Sequence, residues 1–100
     1  MATFIATYDL KQTNPDPHWE FLSQSANFNW LPWIKSSSGP WYRLPNTTLV
    51  GEFANLAAAV QALENTRTAT QAAIGTAVIM EKWIVAERGA SQFSSDQTQA

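Results

Sequence analysis

Apolar and polar positions alternate over residues 3–10. Phe4, Ala6 and Tyr8 fall on one face of an extended chain, and Thr3, Ile5, Thr7 and Asp9 on the other. The stretch is rich in β-branched and aromatic residues and lacks Gly and Pro, which predicts a strand. A polar exit follows from Lys11 to Asn14. Asn14-Pro15-Asp16-Pro17 then starts a helix, with Asp16 as N-cap and Pro17 at the first helical position. Glu20 suits the positive end of the helix dipole. Trp19, Leu22 and Ala26 recur at helical spacing and carry the helix to about Ala26.

Residues 27–45 show no clear period. Phe28, Trp30, Trp33, Trp41 and Tyr42 are broken up by Pro32, Pro40 and Pro45, and Ser36–Gly39 reads as a turn. A short strand fits 30–35 or 40–44. A better one covers 47–53, with Gly51 as a bulge candidate. Asn55 can cap a second helix, in which Leu56, Ala59, Val60 and Leu63 form the apolar stripe. The stripe fades after Glu64, and the Thr-rich 66–70 stretch either extends the helix or leaves it. The last strand, 76–87, is apolar on both faces for much of its length, as in a sheet covered by helices on one face and a partner on the other. Residues 89–100 are polar and read as a disordered tail.

This order predicts one α+β domain over residues 1–88. It fits a ferredoxin-like βαββαβ arrangement, an antiparallel sheet with two helices on one face. An open apolar face favours a homodimer. One hundred residues leave no room for a second domain. Cys is absent, which removes disulfides, thiol catalysis and thiolate metal sites. No apolar run approaches about 20 residues, and residues 1–10 carry no basic leader. The expectation is a soluble, cytoplasmic protein. With 6 Lys and Arg against 8 Asp and Glu, the net charge is −2 and no two cations are adjacent. That disfavours nucleic acid as a partner, because such binding rests on neutralised phosphates.

Tyr8-Asp9-Leu10 at the end of a first strand resembles the CRISPR-associated small nuclease/adaptor family and its SinR-like and VapD-like relatives. The 41–50 segment, Trp41-Tyr42-Arg43-Leu44-Pro45-Asn46-Thr47-Thr48-Leu49-Val50, resembles the SinR-like approach to a strand. The resemblance implies a small dimeric adaptor of unknown partner. Alternatively it implies an endonuclease in which two copies of Asp9 hold Mg²⁺ across the dimer axis. The acidic balance and the Trp- and Pro-rich insertion depart from the nuclease pattern.

Several residues have competing roles. Asp9 is either that metal ligand or a strand-end carboxylate bonding loop N–H groups. His18, the only histidine, either pairs with Asp9 as a base and its orienter or faces solvent. Trp30, Trp33 and Trp41 with Tyr42 enlarge the core, form a protein interface or stack on a flat ligand. Arg43 grips phosphate or carboxylate, or sits in a solvent-facing strand paired with Glu52. A third function follows: a small-molecule binder whose pocket is walled by the Trp-rich region, with His18 and Arg43 supplying polarity.

Overall fold

The computed structural model describes residues 1–99. In chain order the elements are β1 (Ala2–Leu10), α1 (His18–Ser25), a 3₁₀ turn (Ala26–Phe28), β2 (Trp33–Lys35), β3 (Trp41–Arg43), β4 (Thr48–Phe53), α2 (Leu56–Ile74), β5 (Met80–Glu87) and β6 (Thr98–Gln99). The α+β class is as expected. The single sheet is not: there are two three-stranded antiparallel sheets, ordered β4-β1-β5 and β2-β3-β6.

The first sheet follows from the alternation in β1. Phe4, Ala6, Tyr8 and Leu10 are all buried, and they pack with Phe21 of α1 and with Ala59 and Leu63 of α2. Both helices therefore cover one face. The stripe of α1 is shifted from the expected one. Pro17, Phe21 and Ser25 point inward, and Trp19 is 83% exposed. The Asp16 carboxylate accepts the His18 N–H at 2.9 Å, but the helix begins at His18 with Pro17 in the N-cap position, so Asp16 sits one residue ahead of the expected cap.

Asn55 caps α2 as expected, accepting from Ala58 N at 2.8 Å. The helix runs on to Ile74 and ends at Gly75 in the left-handed conformation. Its second half has a core that hydropathy hides. Thr66 and Thr70 are fully buried, their hydroxyls donating to the carbonyls of Ala62 and Thr66 at 2.9 and 2.7 Å. Those bonds satisfy the polar atoms and leave the methyl groups to pack. Arg67 and Gln71 then hold Val78 through its carbonyl and N–H, so the last strand starts at Met80 rather than at residue 76.

The second sheet forms because the chain leaves β4 early. Leu31 and Val50 exchange two backbone hydrogen bonds of 2.9 Å, and no further pairing is made along that edge. β2 turns away to pair with β3, and Ile34 and Leu44 bury against Val50 as a small second core. Residues 89–99 run back along the second sheet. Phe93 packs on this second core beside Tyr42, and Thr98–Gln99 pairs with β3. One aromatic residue in a polar stretch suffices to anchor it. Gly51 is not a bulge, since β4 pairs with β1 in unbroken register. Its missing side chain admits the Asn29 carbonyl, which lies 2.2 Å from where a Cβ would stand.

Candidate functional site

Two places gather exposed or unpartnered chemistry. The first is the outer edge of β5. Arg88 N donates to Thr3 O at 2.8 Å, and Ala86 and Ile84 lie across from Ile5 and Thr7. From Lys82 onward the even-numbered residues of β5 thus direct their backbone groups toward β1. Neighbours on an antiparallel strand turn theirs the other way. Trp83, Val85 and Glu87 therefore present N–H and C=O groups to the open edge, up to the register shift at Glu81. Ile84 is 60% exposed and Trp83 48% exposed, on opposite faces of the strand. Lys82, Trp83 and Ile84 line a shallow groove of about 190 Å³ with Thr7, Tyr8 and Asp9.

The second place is a cavity of about 290 Å³ where the end of β1, the first turns of α1, β3 and the β3–β4 loop meet. Tyr8, His18, Leu22, Arg43, Asn46 and Thr47 line it. Each is delivered by local structure. Tyr8 is on the core face of β1 and packs on the Phe21 ring at 4.6 Å. Burial pushes its phenol up to about 12, against the opposing charge of Arg43. His18 is oriented by Asp16, whose Oδ1 lies 2.6 Å from Nδ1. The backbone N–H and then the ring of His18 hold the Asp16 carboxyl below its usual range. Arg43 is half-buried, and its Nε is fully buried without an acceptor. Thr47 has φ +62°, a conformation that a β-branched residue rarely adopts.

His18 and Arg43 therefore do line one cavity, and Tyr8, Asn46 and Thr47 join them. No tryptophan walls it. The partner of His18 is Asp16, not Asp9, and Arg43 makes no ion pair with Glu52. Nothing in local spacing marks this cluster, because its members lie on four separate elements.

Asp9 is exposed at the end of β1, across from Lys82. No group of three metal-ligating side chains occurs among the described residues. One chain thus offers Mg²⁺ a lone carboxylate, and the expected site would need Asp9 from two copies. The tryptophans divide. Trp30 is fully buried, donates to the Ala59 carbonyl at 3.3 Å and packs on Phe53 at 4.8 Å. Trp33 and Trp41 are half-buried on one face of the second sheet, with Arg43 and Lys35 as their cross-strand neighbours; Tyr42 is on the other face. The two most exposed tryptophans are Trp19 and Trp83. The apolar character of both faces of β5 is the sequence signal that could have singled out Trp83.

No helix is long and apolar enough to cross a membrane among the described residues. Comparison of the chain with protein-family models, curated proteins and solved structures finds no match.

Proposed function

We propose that the protein is a small interaction or adaptor protein that works as a homodimer, two copies joining their β5 edges antiparallel. The observation that carries this is a strand of eight residues with a free edge, uncharged from Trp83 to Ala86 and exposed at Trp83 and Ile84. An edge of that kind is a template for pairing. The outward groups of the odd residues allow a twofold centred on Ile84. Ile84 then meets its own copy, and Trp83 covers Val85 of the partner subunit. The net charge of −2 does little to oppose association. The finer fold reading belongs with this proposal. The Leu31–Val50 bridge lies on the outer edge of β4, which supports a ferredoxin-like sheet whose outermost strand is reduced to one bridge. The resemblance to SinR-like adaptors leads to the same function by a separate route.

The pairing is read by light scattering or native mass measurement at micromolar concentration. The wild type is expected at twice 11.1 kDa, and Ile84→Lys at the monomer mass. A monomeric wild type, or an Ile84→Lys variant that stays dimeric, overturns the reading.

A further inference from the structure

We infer that the cavity between β1, α1 and the β3–β4 loop binds a small oxyanion, the phosphoryl or carboxylate head of a small molecule. Arg43 is its cation, and Tyr8 and Asn46 are its hydrogen-bond donors.

Arg43 lacks a counter-charge. The ion pairs among the described residues are Asp16–His18 and Glu64–Arg67, and neither includes it. Its Nε is buried without an acceptor although the chain carries 8 carboxylates. A half-buried guanidinium in this state gains from an anion that fills its planar fork. Two carboxylates are close enough to the region to need naming. Asp16 is tied to His18 through both the backbone N–H and the ring. Asp96 lines a second, larger cavity of about 470 Å³ to which Arg43 and Asn46 also contribute. Neither makes a bond to Arg43.

The other lining groups suit an anion. His18 donates Nδ1–H to Asp16, which fixes its ring as a wall of the cavity rather than a donor to the ligand. The Tyr8 hydroxyl is protonated at neutral pH, as an ordinary phenol is, so it donates rather than repels. Asn46 contributes an amide from the loop that Tyr8 holds by donating its N–H to the Thr47 carbonyl at 3.1 Å. Leu22 supplies an apolar wall. A volume of about 290 Å³ is at the lower end of the roughly 300–1,000 Å³ typical of small-molecule sites, which suits a small molecule rather than a polymer.

The test is an amide and side-chain shift titration of the full chain with inorganic phosphate and, separately, with acetate. Saturable shifts at Arg43 Nε–H, Tyr8, Asn46 and Thr47 are expected with at least one of them, and the anion that saturates identifies the head group. Arg43→Gln should weaken binding about tenfold or more, the loss of a charge-assisted hydrogen bond. Arg43→Lys should fall between, and Lys35→Gln on the adjacent strand should bind as wild type. Three results overturn the inference: no saturation with either anion, shifts spread over the exposed lysines, or unchanged binding by Arg43→Gln with its fold intact. The wild-type titration stands even where a variant fails to fold.

Discussion

Replacing Gly51 by Ala should remove much of the protein's stability, although it adds one methyl group. That methyl would stand 2.2 Å from the Asn29 carbonyl oxygen and 2.8 Å from the Phe53 ring. Ordinary contact needs more than an ångström of extra room on the carbonyl side. The Phe53 ring cannot yield freely, because it is wedged between Trp30 and Phe4. Asn29 is backbone in a left-handed turn, and moving it pulls on its neighbours. Leu31 exchanges its two bonds with Val50 two residues later, and Trp30 donates its N–H to Ser25 between them. Losing the two bridge bonds costs about 2 kcal/mol. Overpacking adds about 1–3 kcal/mol. The expected loss is about 3–5 kcal/mol, a large share of the roughly 5–15 kcal/mol typical of a domain. At this chain length it lowers the melting temperature by about 15–30 °C. Urea denaturation followed by tryptophan fluorescence, with Trp30 as the buried reporter, measures it. Gly89→Ala is the control, since no atom lies within 4 Å of its Cβ position. A Gly51→Ala variant within about 1 kcal/mol of wild type would refute the close approach of Asn29.

Three further outcomes follow from the same structure. Tyr8 should make the fold sensitive to alkali. Its phenol rises from 10.0 to about 12 on folding, so the unfolded chain ionises first. Stability is intact below pH 10 and falls by about 1.4 kcal/mol per unit from there toward pH 12; Tyr8→Phe should lose that component in parallel urea melts. Thr47→Gly relieves the left-handed strain at φ +62° and should raise stability by about 0.5–1 kcal/mol despite glycine's greater unfolded freedom, and a thermal melt showing destabilisation would count against that strain. Trp30→Ala should cost about 3–5 kcal/mol, whereas the exposed Trp19→Ala should change stability by no more than about 0.5 kcal/mol; equal losses in urea would contradict the burial of one and exposure of the other.

Legibility from sequence followed the length of each periodic run. β1 repeats its pattern often enough to fix which side faces in, and Phe4, Ala6 and Tyr8 are buried accordingly; of the stripe expected on α2, Ala59 and Leu63 are buried, Val60 is half-buried and Leu56 is exposed. The eight residues of α1 do not repeat it often enough. Trp19 outweighs Ser25 on any hydropathy scale, yet the backbone phase buries the serine, which bonds its hydroxyl to the Leu22 carbonyl at 2.8 Å. Thr66 and Thr70 are hidden for the same reason: polarity is read from composition, but their oxygens are satisfied within the helix. The second sheet is built from strands of two and three residues, too short to carry any period. The cavity was legible only as residue types. His18 and Arg43 suggested polarity, but their meeting with Tyr8 and Asn46 depends on the β3–β4 loop returning beside β1, which no local spacing encodes.

The placement of β1 also sets the order in which the chain can assemble. β1 precedes β4 and β5 along the chain yet is the middle strand of its sheet, and Ile5 waits for Ala86, far along the sequence. Its other side is completed sooner, when β4 arrives and Ala6 pairs with Leu49. Such distant pairings close late and slowly. A nascent chain that has not yet released β5 therefore holds a two-stranded ribbon with the odd-numbered backbone groups of β1 unpaired. During that interval the vulnerable edge is on β1; in the mature fold it has passed to β5. Removing the last strand would hand it back, and a truncated chain should aggregate through β1 rather than dimerise through β5.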